Sequence, residues 1–483
     1  MSRAFARAAG ERMAAAHVSP YGGVWYPPHE RSLNALLDEL FETSCRRTGP
    51  HILPGVVAMI LPHAAPRYSG TVAAAAYRHV QLARPERVFI LGFSHAGGQR
   101  GIAIPNISRY RTPLGEMAVD VAGAQALCST TVFRMVSERE ACDHSVEIQL
   151  PFLQRVAPAA RVIPLYVGRM AEPERTAAAE ILARAWREGD ILLASSDLTH
   201  YGPRFGYVPF SVDFQIAARL RELDRSVLAA ASSVDCEQFL ETLCQSGATA
   251  CGYQPISLLL RTLSLMGGED IFQDELDYQT SGEITGDFHE SVSYAATGYF
   301  RRSAFEVNQL EQHELLLAAH ATLDRLRQTG AREHGSSLNL SVLTRRAPVF
   351  VTLRYHGRVV GCVGRVFHCL PLAEAIPQMT LSAALDDPRR LQDQSIPRDL
   401  EIEISLLTPM KLVRGADAIQ TGRDGVYLEC GSQRALLLPQ VARPGWSGAA
   451  FLDLLFKKAG IEARAYHDSE GRLCIFQAQV FRG

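Results

Sequence analysis

The sequence predicts an α/β first domain with a mostly parallel or mixed central sheet, followed by an α+β second domain. Three observations carry that expectation. Short apolar runs over 56–61, 88–91 and 191–194 are continuous and bounded by turn residues, as in strands buried on both faces of a sheet. Helical spacings separate those runs. After Arg301-Arg302-Ser303 the texture changes to period-two alternation and hairpin signals.

Taken in order, leucines at helical spacing predict a helix over 33–41. The strand over 56–61, an Ala-rich helix over 71–83 and the strand over 88–91 then form a βαβ unit. Asp143 or Ser145 can cap a helix running through Leu150, with Pro151 inside it or ending it. A strand over 161–166 and a helix over 172–188 precede the strand over 191–194. Helices over 211–231, 236–243 and 255–267 and an alternating strand over 291–300 close the domain. Beyond it come a helix over 310–326 with one charged face and a polar, Gly-containing stretch over 328–337. Strands over 348–355 and 358–363 flank a turn at His356-Gly357, and those over 426–430 and 434–438 flank Gly431-Ser432. A strand over 400–407 and helices over 371–385 and 447–459 complete the set. The boundary falls near residue 304, giving domains of 1–303 and 304–483.

The chain has 483 residues, 47% hydrophobic and 21% charged, with a net charge of −2. That balance is globular, and it favours neither nucleic acid nor an anionic membrane as a partner. No apolar stretch approaches the ~18 residues of a membrane span. Residues 1–17 are rich in Ala and Arg but lack the apolar core of a secretory signal, and read as a frayed extension. Ten cysteines scatter without a Cys-x-x-Cys pair, the pattern of reduced thiols in a cytoplasmic protein.

The chemistry lies where the three apolar runs end. The first leads to His63, the second to His95, the third to Asp197 and His200. Open α/β sheets place ligand sites beyond the carboxyl ends of their strands. Three strands delivering imidazoles to one edge point to a metal or proton-transfer site. Cys251 is a candidate third ligand because Gly252 permits close approach, and it also reads as a small buried hydrophobe. Asp197 and His200 are a candidate acid–base pair, while Asp197 alone would equally cap a turn. Asp143-His144 with Glu147 reads as a capped helix start or as part of the site lining. In the second domain Cys362, between Gly361 and Gly364, is either a nucleophile or a packed thiol where two strands approach.

Six segments carry a resemblance: Trp25-Tyr26-Pro27, Pro62-His63-Ala64, Gly92-Phe93-Ser94-His95, Asp143-His144-Ser145-x-Glu147, Ser195-Ser196-Asp197-Leu198-x-His200 and Cys251-Gly252. In that order, over roughly 19–302, the chain resembles the Memo family. The Memo fold is similar to class III extradiol dioxygenases of the LigB type, which hold iron(II) with two histidines and a carboxylate and open catechol rings with dioxygen. The resemblance implies His63, His95 and Cys251 as ligands of one divalent metal ion and His200 at the acid–base position. Iron is the favoured ion, with copper or zinc as alternatives. Trp25, Tyr26 and His144 are expected against a small, aromatic substrate. Ala65 stands where the family usually has Gly, and Ala96 where a second histidine is common.

Residues 305–483 resemble the AMMECR family through Phe350-Val351-Thr352-Leu353, Gly361-Cys362-Val363-Gly364, Pro371-Leu372-Ala373-Glu374, Ile404 to Pro409, Gly422-Arg423-Asp424-Gly425, Leu438-Pro439-Gln440-Val441 and Gly445-Trp446. Val360 replaces the family's usual Arg before Gly-Cys. The two domains in one chain resemble the AmmeMemoRadiSam arrangement, which implies a radical-SAM partner protein. The resemblance favours a metal-dependent oxidoreductase. Two alternatives use the same cleft: a phosphopeptide-binding module without turnover, and a zinc-dependent hydrolase.

Overall fold

The computed structural model describes residues 16–483 except 51, 331, 333–344, 367–369, 391–395, 414, 463–470 and the side chain of residue 269. Residues 1–15 of the proposed terminal extension and most of the polar stretch over 328–337 lie outside the described residues, while His17, at the end of that extension, is not frayed but pairs in a strand with Tyr110. Two compact units emerge, residues 1–301 and 302–483.

The first unit begins with β1 (His17–Val18), α1 (Glu30–Thr48), β2 (Val56–Leu61), α2 (Pro66–Ala83) and β3 (Arg87–Gly92). It continues with β4 (Ile102–Pro105), β5 (Arg109–Thr112), β6 (Gly115–Ala118), α3 (Val121–Leu127), β7 (Phe133–Val136), α4 (Glu138–Ala141), α5 (His144–Glu147) and α6 (Gln149–Val156). Then come β8 (Arg161–Val167), α7 (Glu172–Ala185), β9 (Ile191–Ser195), β10 (His200–Tyr201), α8 (Ile216–Ser232), α9 (Cys236–Ser246), α10 (Tyr253–Leu265), β11 (Ile271–Thr280), α11 (Ser281–Thr285) and β12 (Ser291–Arg301).

Its main sheet has nine strands in the order β10-β12-β2-β9-β3-β8-β4-β7, with β11 beside β12. The four central strands β2, β9, β3 and β8 run parallel, and antiparallel partners flank them. The fold is the mixed α/β class that the apolar runs predict. Every residue of β2, β3 and β9 is buried, which is why those runs carry no polar alternation. The register aligns Leu61 with Ser195 and Leu91 with Ala194. The three segments that follow therefore leave neighbouring strand ends.

Two helices differ from expectation for local reasons. Helix α2 starts at Pro66, five residues before the predicted helix, because proline at the first position lacks only an N–H that has no helical partner there. The helix expected around 143–150 divides into α5 and α6, and Pro151 occupies the first turn of α6, where it is tolerated for the same reason.

The second unit contains α12 (Gln309–Thr329), β13 (Val349–Tyr355), β14 (Arg358–Arg365), α13 (Leu372–Leu385), β15 (Glu401–Leu407) and β16 (Lys411–Val413). It ends with β17 (Asp424–Cys430), β18 (Gln433–Leu437), α14 (Gly448–Ala459) and β19 (Arg472–Arg482). Its antiparallel sheet runs β14-β13-β15-β19-β17-β18, with β16 on β19. The class is α+β. A Cβ on Gly361 would stand 2.0 Å from the Ala383 carbonyl oxygen, so this glycine lets β14 lie directly against α13.

Candidate metal centre

His63 lies two residues beyond β2 and is fixed on three sides. Its amide donates to Asp197 Oδ1 at 2.8 Å, its Nδ1 meets Ser195 Oγ at 3.1 Å, and its Nε2 stands 3.3 Å from Cys251 Sγ. Ser195 in turn accepts from Gln149 Nε2 at 3.0 Å, and Gln149 Oε1 accepts from the Tyr77 hydroxyl at 2.7 Å. Cys251 reaches His63 because its neighbour is glycine. A Cβ on Gly252 would fall 2.4 Å from Ser195 O and 2.6 Å from Ser196 Cβ. The Asp197 amide points at the sulfur from 3.3 Å.

On the next strand end, Asp143 holds His95 twice, accepting its amide at 3.0 Å and its Nδ1 at 2.9 Å. The same carboxylate lies 3.3 Å from His144 Nδ1 and caps α5 through the Ser145 amide. With both Nδ1 atoms at one carboxylate, the His95 and His144 rings stack, centroids 4.0 Å apart. His63 meets both rings edge-on, at 5.3 and 5.4 Å.

Two groups of donor atoms able to hold a metal ion result, each with all members within 4.8 Å of one another. One is His63, His95 and His144; the other is His63, Asp197 and Cys251. The expected triplet of His63, His95 and Cys251 is thus divided between two groups that share His63. His144, expected at the substrate, joins the imidazole group because Asp143 turns its ring onto His95.

The donor chemistry fits a divalent cation. Burial, reinforced by His95, lowers the His63 imidazole to about 3, and burial lowers His144 to about 4 against the pull of Asp143. Both rings are therefore neutral ligands at neutral pH. Burial and then the charge of Asp197 push the Cys251 thiol well above its ordinary range, and burial raises Asp197. An adjacent cation removes that penalty and favours the thiolate.

A cavity of about 530 Å³ opens over these groups, lined by His63, His95, His144, Asp197 and His200 together with Trp25, Tyr68 and Phe205. That volume lies inside the range of about 300–1,000 Å³ common for small-molecule sites. His200 Nδ1 donates to the Leu198 carbonyl at 2.8 Å, so that in a neutral ring Nε2 is the acceptor. Arg67 and Arg204 add positive charge to the lining.

Family models match the two parts of the chain: a Memo-like protein over residues 18–298 and AMMECR1 over residues 316–481. The chain belongs to the Memo family. It carries Memo and AMMECR1 domains in fusion. The protein memo-1 homolog of Caenorhabditis elegans is 30% identical over 285 residues, covering 57% of this chain and 80% of the worm protein. A MEMO1 family protein of Methanobrevibacter smithii is 30% identical over 295 residues, covering 58% of this chain and 97% of its own length. Among solved structures, an uncharacterized protein from Pyrococcus horikoshii is 28% identical with a TM-score of 0.33, covering 36% of this chain and 93% of its own.

Other expected residues fall differently in this Memo chain. Trp25 lines the cavity and packs on His144, centroids 4.4 Å apart. Tyr26 does not line the cavity: its ring is buried and its hydroxyl bonds Ser19 Oγ at 2.9 Å, because the turn that exposes Trp25 directs its neighbour inward. Cys362 sits in β14 opposite Thr352, whose hydroxyl lies 3.2 Å from the sulfur, and its amide donates to Asp387. Arg67, Tyr68, Arg204 and Phe205 were not anticipated. Their signal is adjacency, since each follows His63 or His200 by five residues or fewer. Among the described residues no helix is long and apolar enough to cross a membrane.

Proposed function

We propose that this Memo-family chain is a metal-dependent oxidoreductase acting on a small, anionic aromatic molecule, in the manner of a class III extradiol dioxygenase. In this reading it holds one iron(II) and works in the cytoplasm with a radical-SAM partner protein. The supporting observation is a cavity lined by His63, His95, His144, Asp197 and His200, with the Cys251 thiol beside His63. His63 and Cys251 would hold the ion, completed by the imidazoles of His95 and His144 or by Asp197. Iron(II) supplies the redox couple that lets an aromatic substrate and dioxygen exchange electrons.

The chain's own residues do the rest. Trp25, Tyr68 and Phe205 pack against the aromatic ring and keep water from it. Arg67 and Arg204 attract a phenolate or carboxylate. His200 Nε2 takes the proton of the substrate hydroxyl, while the Leu198 carbonyl holds the ring in the required tautomer. Asp197 holds the loop of His63 through two main-chain amides, at 2.8 and 3.4 Å.

Oxygen uptake with a panel of phenols and catechols, on iron-loaded protein and its His63→Ala variant, tests this reading. Metal-dependent uptake lost in the variant is expected; no uptake across the panel rejects turnover of this kind. The same arginines beside an aromatic cleft favour one other reading, capture of a phosphotyrosine-bearing peptide without chemistry. Undiminished peptide affinity in a metal-free His63→Ala/Cys251→Ser protein supports that alternative.

A further inference from the structure

Behind the Asp143–His144 segment lies a second cluster of donors, away from the cavity lining: His17 in β1, Cys142 just after α4 and Glu147 at the end of α5. Their donor atoms all lie within 4.8 Å of one another. We propose that His17, Cys142 and Glu147 form a second, zinc-type metal site.

One carboxylate oxygen of this cluster is buried without a donor. His17 lies between two carboxylates, its Nδ1 3.0 Å from Glu138 Oε2 and its Nε2 3.1 Å from Glu147 Oε1. Against burial, Cys142 and Glu147 raise the imidazole to about 11, so without a metal Nε2 carries a proton toward Glu147. Nε2 and Oε1 thus share a proton, in the place that a cation can take. A proton on Nε2 would satisfy Oε1 alone. The other oxygen, Glu147 Oε2, is buried and has no hydrogen-bond partner, on a residue only 1% exposed. A cation in place of that proton meets three donors at once, since one donor atom from each of His17, Cys142 and Glu147 lies within 4.8 Å of the others.

Donor type selects the ion. Nitrogen, sulfur and oxygen in one set suit a borderline-soft cation, and a thiolate with a carboxylate neutralise its two charges. Tetrahedral zinc with three protein ligands has donor atoms about 3.3–3.6 Å apart and a fourth position for water, near the 3.1 Å separation of His17 Nε2 and Glu147 Oε1. The surroundings match a metal ligand's usual support. Glu138 on Nδ1 makes a carboxylate–histidine pair, and the Tyr110 hydroxyl lies 3.8 Å from Cys142 Sγ and 3.3 Å from the Tyr166 hydroxyl. Bound there, the ion would tie β1 to the segment that carries Asp143 and His144. Its role is bracing.

The test uses the full chain with the Cys251→Ser substitution, which removes the thiol of the cavity centre. Metal-stripped protein is titrated with zinc and separately with cobalt(II), whose thiolate charge-transfer absorption reports a sulfur ligand. One thiolate-bound cobalt per chain is expected. It should disappear in Cys142→Ser/Cys251→Ser and weaken about 10–100-fold or more in His17→Gln/Cys251→Ser. Absence of the band in Cys251→Ser, or its persistence when Cys142 is also replaced, overturns the proposal. Circular dichroism checks folding. If the serine pair does not fold, the glutamine variant decides, and cobalt affinity unchanged by His17→Gln overturns the assignment.

Discussion

Asp143 grips His95 at two points, the main-chain amide on Oδ2 and the ring Nδ1 on Oδ1. One carboxylate thereby caps a helix and aims an imidazole, so a residue that reads as a helix start in the sequence also organises the centre. A carboxylate behind a metal-binding histidine fixes its tautomer and raises its basicity. Asp143→Asn keeps an oxygen for the Ser145 amide but loses the charge. Affinity for iron(II), measured by anaerobic calorimetric titration, should fall about 10–100-fold. An unchanged affinity would mean that Asp143 serves the cap alone.

Gly252→Ala places a methyl group 2.4 Å from the Ser195 carbonyl oxygen. Backbone must move, and Cys251 moves with it. A loss of about 1–3 kcal/mol in urea unfolding is expected, the usual range for forced overpacking. Metal content after reconstitution should drop as well. A variant as stable as the parent would show that the loop has room to yield.

Arg87 is buried at the start of β3, where Asp190 and Asp120 accept from it at 2.5 and 3.3 Å. Removing one partner of a buried pair costs about 3–5 kcal/mol. Asp190→Asn should reach the lower end of that range, because Asp120 and the Ala185 carbonyl remain. Chemical denaturation of the two proteins measures the difference, and a change below about 1 kcal/mol would contradict the burial argument.

Asp224 is fully buried and accepts from the Thr199 amide, the Thr199 hydroxyl and the Tyr278 hydroxyl at 3.2, 2.7 and 2.6 Å. Burial outweighs those donors and raises its carboxyl above the ordinary range. Above the unfolded value of about 3.9 the folded chain holds a proton that the unfolded chain has lost. Stability contributed by this group therefore falls as pH rises from about 4 to the raised folded value. Asp224→Asn should flatten that slope, with Tyr278 turning its hydroxyl to Ser293 Oγ at 3.1 Å. Unfolding midpoints across acidic pH check it; identical slopes would assign the pH dependence to other groups.

What could be read from the sequence follows burial. Strands β2, β3 and β9 were legible because both faces are covered and the apolar run is unbroken. Strand β11 was not, since Asp274, Glu275 and Asp277 interrupt a ten-residue element that gains its place by pairing with β12. The four-residue strands β4 to β7 are too short for a period to show. At the site, positions beyond strand ends were visible, and Gly252 marked the close approach of Cys251. The pairing of His144 with His95 was hidden because Asp143 creates it across 48 residues. Tyr26 shows the opposite limit: adjacency to Trp25 does not decide which ring faces the cavity.

The strand order β2-β9-β3 has a consequence for how such a centre could diversify. The anchor points of His63, Asp197 and His95 are set by main-chain register, whereas Val24, Arg204 and Phe205 reach the opening from separate loops. Exchanging those loops would alter what enters while the donor groups beneath stay in place, a chassis with interchangeable doors.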